Sequence, residues 1–599
     1  MNLQELPFTL FSLRASYRNG IAAADVVREA YRRLAAADDP GIFIHLADMD
    51  EVIAEADALG PYDPEKPLWG IPFAVKDNID AAGMPTTCAC PNFGYIAEKD
   101  AFVVARLKAA GALLIGKTNL DQFATGLVGT RTPYPVPRNA LDPDIVPGGS
   151  SSGSAVVVSR GILPFSLGTD TAGSGRVPAA LNNIVGLKPS LGALSASGMV
   201  PACRTLDTIS IFALTAEDAF AVYQVAAAYD DSDAYSRRHP APVIYAGEQG
   251  LSVGVPDQAS RQFFDDEAQA AMFEAALARL EAMGHRIVPV DFSPLYQIAD
   301  LLYSGAWVAE RYVATERVMQ ANPRAMHPVT RRIIAQAENL SAADVFKSMY
   351  RLAELRRAIE PLLADLDLLC VPSIPCFVTL ADLAEDPIGP NSRLGTYTNF
   401  VNLMDMCGIA VPVSARGDGR PGSVTLLAQA GRDGRIAGLA AALQADAAAP
   451  LGAVGWSCPP VRATRSVAAG GEIAVALVGA HMRGLPLNHE VTRLGGRFLF
   501  EGKTAPDYRF YALAGGPPKR PGLVRAAGGG PIALEAWAIP LSRFGDFMAG
   551  IPSPLGIGTI SLASGETIKG FLCETAGLDG AEEITAFGGW RAYLDAQRR

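Results

Sequence analysis

Residues 147–190 read PGGSSSGSAVVVSRGILPFSLGTDTAGSGRVPAALNNIVGLKPS. A Gly/Ser loop opens a helix, a strand follows, and a second Gly/Ser loop comes after the strand. Loops of this composition bring backbone N–H groups and small hydroxyls close to a reacting group, where a bulky side chain would block the approach. Taken alone, GGSSSGS fits either a flexible, phosphate-cradling loop or a reaction site. The P-loop pattern is not met, because no G-K-[ST] closes the run.

The surrounding chain supplies the frame. FVVARLKAAGALLIGKTN (102–119) is a helix, a Gly stop and a buried strand, and AQAAMFEAALARLEAMGHRIVPVDF (268–292) repeats that order. Helices are expected within 8–36, a strand at 41–49, a helix at 50–59, and a β-rich segment over 67–80 that runs up to Lys76. Strands alternating with helices of this length imply an α/β fold, a sheet with helices on its faces. No fixed-period repeat suggests a solenoid. From about 440 to 470 the composition turns Ala-, Gly- and Pro-rich, which reads as a domain end and a linker. Beyond it EIAVALVGAHM starts afresh as a strand, and RFLFEG, YRFYALAG and GTISLASGETIKGFLCE are further short strand-like runs. The expected division is 1–445, a linker at 446–470, and a small domain at 471–599.

Composition excludes several functions. The chain has 599 residues, 51 basic and 62 acidic, for a net charge of −11. Tracking a nucleic-acid backbone needs clustered Lys and Arg, so no nucleic-acid partner is expected. Hydrophobic residues make up 49% and charged residues 19%, against about 25% charged in an average domain, enough apolar material for a large core. Eight cysteines, of which only Cys88 and Cys90 are close, are too sparse for a disulfide framework and a weak zinc signal. The first 14 residues lack a basic n-region and do not read as a signal peptide. No apolar run reaches the ~18 residues a membrane span needs. The expectation is a soluble cytoplasmic enzyme.

The 147–190 run resembles the amidase signature: Gly148-Gly149-Ser150-Ser151, then Gly168 to Pro178 (GTDTAGSGRVP), then Gly186-Leu187-Lys188-Pro189. Gly70-Ile71-Pro72 leading to Val75-Lys76-Asp77 is similar to that family's lysine segment, and Gly116-Lys117-Thr118-Asn119 to a further one. The resemblance covers roughly residues 10–440 and implies a mixed β-sheet covered by helices. It implies Ser174 as nucleophile, Ser150 as bridging serine and Lys76 as terminal base. It also implies an oxyanion hole from the backbone N–H groups of Thr171, Ala172 and Gly173, completed by Ser174. A serine hydroxyl needs a neighbour to take its proton, and a lysine can do so once burial lowers its pKa enough to leave it neutral. Asp170 and Arg176 are expected to hold the loop. Ala172 departs from the commoner glycine of the signature. No metal, nucleotide or flavin is required, so no cofactor is expected.

LLYSGAWVAERY (301–312) places Tyr303, Trp307 and Arg311 at i, i+4 and i+8 of a helical pattern, a drifting stripe on one face. Arg311 could clamp a small carboxylate bidentately, or pair at the surface with Glu310 or Glu316. The segment is similar to the corresponding region of allophanate hydrolases, where a Tyr and an Arg at this spacing orient substrate. TTCACPNF (86–93) and the T-A-G-S variant share that likeness. VGAHMRGLPLNHE (478–490), YALAGGPPKRPGL (511–523) and the run at 551–574 resemble the C-terminal domain of the same group, whose fold is similar to gamma-glutamylcyclotransferase-like mixed α/β barrels.

That resemblance implies hydrolysis of allophanate to ammonia and N-carboxycarbamate, with His481 of the G-A-H motif assisting decarboxylation. His489 and a purely structural histidine are the alternatives. It further implies a homodimer and, because no biotinyl-type Met-Lys-Met site is present, a separate urea carboxylase as pathway partner. A general amidase, and the amidase subunit of a tRNA-dependent amidotransferase, are the competing activities.

Overall fold

In the computed structural model the described residues are 2–239, 243–245, 248, 250–459, 467–468 and 471–598. The chain divides into two units, Met1–His239 with Leu251–Val461, and Pro240–Gly250 with Arg462–Arg599.

The first unit is built on an eleven-stranded mixed sheet. Its strands lie in the order Phe43–Leu46, Leu113–Thr118, Pro72–Lys76, Phe165–Asp170, Thr208–Ala213, Val185–Lys188, Met406–Val413, Gly422–Gln429, Leu368–Pro372, Ser252–Pro256 and Arg286–Val290. Two parallel blocks, Leu113–Thr118/Pro72–Lys76/Phe165–Asp170 and Leu368–Pro372/Ser252–Pro256/Arg286–Val290, flank a wholly antiparallel middle. Pro72–Lys76, Leu113–Thr118, Phe165–Asp170 and Thr208–Ala213 are buried at every residue. Continuous burial of this kind is the mark of a sheet covered on both faces, and it is why these strands read as apolar runs without alternation.

Both helix–Gly–strand units form as expected. Phe102–Ala109 stops before Gly111, where φ is +93° and an added Cβ would stand 2.7 Å from Trp69 Cα, so a side chain is excluded, and Leu113–Thr118 follows. Glu267–Ala282, Gly284 and Arg286–Val290 repeat the order. The strand expected at 41–49 is shorter, Phe43–Leu46, because the Asp48 carboxylate caps the next helix by accepting from Asp50 N (2.9 Å) and Glu51 N (3.3 Å).

Part of the Ala/Gly-rich segment expected as linker packs on the first unit. Helix Asp433–Ala447 ends at Ala448, and Leu451, 2% exposed, donates its N–H to Trp456 O at 2.7 Å. The Trp456 ring lies against Gly161 and 5.3 Å from Arg33 Cζ. One large aromatic ring anchors a stretch whose composition hides it. The rest of that expectation, at 460–466 and 469–470, falls outside the described residues.

The second unit carries a five-stranded sheet in the order Arg497–Lys503, Ala533–Pro540, Glu472–Leu477, Thr567–Cys573, Leu555–Ser561, with the Glu472–Leu477/Thr567–Cys573 pair parallel and the others antiparallel. A three-stranded antiparallel sheet, Pro521–Arg525, Tyr508–Ala512 and Glu582–Glu583, accompanies it. Val475, Leu477, Phe498, Trp537, Ile539 and Trp590 share the core of this unit. Among the described residues no helix is long and apolar enough to cross a membrane.

Candidate active site

Three side chains from separate parts of the first unit meet in one hydrogen-bonded chain. Lys76 is the last residue of a central strand, so its ammonium emerges at the strand's carboxyl end. Its Nζ donates to Ser150 Oγ at 2.8 Å and to Thr169 Oγ1 at 2.7 Å. Ser150 Oγ in turn donates to Ser174 Oγ at 2.9 Å. Lys76 and Ser150 are fully buried and Ser174 is 2% exposed. Burial pushes the Lys76 ammonium down to about 7, against the opposing pull of Asp121, Asp207 and Asp170. A lysine at this value is substantially neutral at pH 7 and able to accept a proton.

Ser174 sits on the turn that follows strand Phe165–Asp170. Gly173 has φ +146°, and a Cβ there would collide with Thr398. Asp170 stakes the turn down: its carboxylate accepts from Gly175 N at 3.0 Å and from Arg176 Nε and Nη2 at 2.9 Å each. Burial alone would raise the Asp170 carboxyl, but the charge and hydrogen bonds of Arg176 hold it below the usual carboxylate range. The Ala172 methyl lies in an apolar cluster with Trp307 and Tyr397, so the alanine adds packing where the signature commonly has glycine. Arg176→Leu would leave the Asp170 charge buried without its partner. It is expected to lower the unfolding free energy by about 3–5 kcal/mol, read by urea denaturation; a loss under about 1 kcal/mol would refute the loop-holding role.

Tyr303 and Arg311 are brought together, though not as a stripe on one helix. The helical pattern is broken: Ser293–Ser304 ends at Gly305 and a new helix runs Trp307–Ala321. A Cβ at Gly305 would stand 2.6 Å from Leu301 O, so the break needs glycine. Arg311 is 1% exposed, and its Cζ lies 5.3 Å from the centre of the Tyr303 ring. The surface pairings with Glu310 and Glu316 do not form. Glu310 accepts from Thr205 N and Oγ1 (2.7 and 2.8 Å), and Glu316 from Gln320 Nε2 at 3.0 Å.

Two functional candidates escaped the sequence reading. Asp207 accepts from the Thr171 hydroxyl and from Ala202 N (2.7 Å) and Cys203 N (3.1 Å); burial pushes its carboxyl up to about 6. Its charge acts on both Lys76 and Arg311. Asp121 N donates to Ser150 O at 3.0 Å, while its carboxylate accepts from Gly129 N (2.9 Å) and Arg131 N (2.8 Å). Neither stands in a Gly/Ser motif; the available signal was an acidic residue at the edge of an apolar run. Lys117 and Lys188 are also fully buried. Lys117 donates to Pro85 O and Thr86 Oγ1, and Lys188 to the carbonyls of Pro189 and Met406, so neither bonds to Ser150 or Ser174. Cys88 and Cys90 are free thiols in an apolar cluster with Phe123.

In the second unit, His481 stacks on Phe571 with ring centres 5.1 Å apart, and its Nε2 lies 3.0 Å from Glu490 Oε2. Burial lowers its pKa, partly offset by the hydrogen bond and charge of Glu490. His489, the alternative, is exposed and bonded through Nδ1 to Pro486 O at 2.9 Å.

The amidase family model matches residues 25–437, and that of the allophanate hydrolase C-terminal domain residues 473–595. The urea amidolyase of Saccharomyces cerevisiae is 41% identical over 551 residues, 89% of this chain and 30% of that protein. The chain therefore spans less than a third of that relative. A glutamyl-tRNA(Gln) amidotransferase subunit of Symbiobacterium thermophilum is 34% identical over 462 residues, 71% of this chain and 93% of that protein. Among solved structures, Kluyveromyces lactis allophanate hydrolase matches with a TM-score of 0.85 at 40% identity, covering 99% of each chain. The chain belongs to the amidase family, and its second unit is an allophanate hydrolase C-terminal domain.

Proposed function

We propose that the chain hydrolyses the terminal carbamoyl C–N bond of allophanate. The hydrogen-bonded run Lys76–Ser150–Ser174, with a lysine that burial brings to about 7, is the observation that carries this reading. Ser174 Oγ attacks the carbamoyl carbon while its proton passes to Ser150, whose own proton moves to Lys76. The oxyanion is received by the amides of the 171–174 turn, an effect worth about 3–4 kcal/mol for a single donor elsewhere. The relay then returns a proton to the departing ammonia. Water, activated by the same relay, splits the acyl-enzyme to release N-carboxycarbamate and restore Ser174. Arg311, beside Tyr303, reads the substrate carboxylate. The chemistry calls for a urea carboxylase to supply allophanate, as a partner in the reaction sequence.

Loss of carbon dioxide from N-carboxycarbamate leaves a bonding pair on nitrogen, which must take a proton. His481, held by Glu490, is assigned to that step in the second unit. His481→Ala is expected to make carbon dioxide release lag behind ammonia release, in a stopped-flow comparison of the two products. Unchanged product timing with an altered oligomer size would instead make this unit an assembly module.

The substrate assignment is tested by ammonia release from allophanate beside malonamide and a simple aliphatic amide. Strong preference for allophanate is expected. Even turnover of neutral amides would leave a general amidase. Turnover appearing only with added partner proteins would favour the amidotransferase reading, which the similarity to the Symbiobacterium thermophilum protein keeps as the alternative.

A further inference from the structure

Arg311 is almost fully buried, yet only one of its three guanidinium nitrogens is bonded. Nη1 donates to Thr125 Oγ1 at 3.1 Å and to Ala124 O at 3.5 Å, while Nε and Nη2 have no partner. Nε–H and the adjacent Nη2–H form one straight edge of the planar group, the edge that grips a carboxylate with two parallel bonds. The same protein shows that edge at work: Arg176 holds Asp170 through Nε and Nη2. In Arg311 it is left open in a buried place, where two unbonded N–H groups are costly unless a ligand takes them.

What aims the edge is Thr125. Its hydroxyl hydrogen is committed to Phe123 O at 3.1 Å, which turns a lone pair toward Arg311. Thr125 is itself fully buried, and its carbonyl accepts from Arg131 Nη1 at 3.0 Å. The 121–131 loop that carries it is tied to the backbone of Ser150 through Asp121 N, so the position of Arg311 is registered to the serine chain. We infer that Thr125 is a specificity-determining positioning residue. It occupies Nη1, leaves the Nε–Nη2 edge free, and thereby selects amides that carry a carboxylate beyond the scissile carbonyl. This inference rests on the reading of Arg311 as the carboxylate clamp.

The test compares kcat/KM for allophanate with that for biuret, in which a neutral carboxamide replaces the carboxylate. It uses the full chain and the variants Thr125→Val, Thr125→Ser and Arg311→Gln. Thr125→Val is expected to lower the allophanate-to-biuret ratio about tenfold, chiefly through a raised KM for allophanate, and Thr125→Ser to restore it to within about twofold. An unchanged ratio in Thr125→Val, or parallel losses toward both amides, would overturn the inference. Should the valine variant be insoluble, Thr125→Ser against Thr125→Ala decides the same point, since the two differ by the hydroxyl. Arg311→Gln separates the layers. If it keeps the wild-type ratio, the clamp itself fails. If it loses the ratio while Thr125→Val keeps it, only the positioning role fails.

Discussion

Replacing Ser174 by alanine is expected to abolish ammonia release, with kcat falling by at least about 10⁴-fold. The proposed oxyanion turn and carboxylate clamp are untouched by this substitution, so substrate binding and KM are expected to change little. Removing the covalent step then shows in kcat alone. A serine-directed fluorophosphonate should label the wild-type chain once and Ser174→Ala not at all, read by intact mass. Ser150→Ala should retain weak labelling, because the nucleophile is present but its proton route is cut. The fold should hold, since the deleted hydroxyl accepts one bond from Ser150 and is part of no charged pair. Retention of more than about a hundredth of the activity by Ser174→Ala would refute the assignment.

Replacing Lys76 is expected to cost nearly as much, and pH separates its role from packing. The proposed relay needs the neutral amine, so log kcat/KM is expected to climb with unit slope below about 7 and level off above it. Asp207, raised to about 6 and facing Thr171, would steepen the profile at its acid end. Lys76→Arg keeps a cation that cannot deprotonate in the working range and should be inactive at every pH. Lys76→Met keeps length without a base and should lose the same activity.

Stability supplies a second readout of that lysine. The unfolded chain binds the Lys76 proton up to about 10.5, the folded chain only up to about 7. Between those values the unfolded state holds more protons, so stability rises with pH. The wild type should therefore gain stability relative to Lys76→Met as pH goes from 7 toward 10. A flat difference would mean that Lys76 stays charged in the fold.

The order of motifs was legible because their chemistry is local. A turn that presents backbone amides needs small residues in succession, and GTDTAGS states that at residues 168–174. The helix–Gly–strand units at 102–119 and 268–292 were equally legible, since a glycine at positive φ ends each helix. The strand ends were less so: Asp48 belongs to the next helix as its cap, a preference that competes with strand continuation at the same residue. The expected Tyr303–Trp307–Arg311 stripe missed the break at Gly305, because glycine inside a helical pattern is often tolerated and only the clash with Leu301 O makes this one a stop.

By itself the sequence determined the α/β class and a small second domain, and its resemblance to the amidase signature pointed to residues 76, 150 and 174 as candidates for amide chemistry. Local propensity and short-range turn chemistry are written into neighbouring residues. Tertiary structure supplied the contact that the resemblance could only imply: of three fully buried lysines, one meets a serine. Lys76, Lys117 and Lys188 all sit on buried strands, and only Lys76 points at Ser150. It alone decided that Arg311 faces inward beside Tyr303, with one edge open, and that Asp207 and Asp121 brace the site. Those outcomes depend on which strands become neighbours in the sheet and on burial, which sets both pKa and hydrogen-bond partners. No pattern along the chain encodes either.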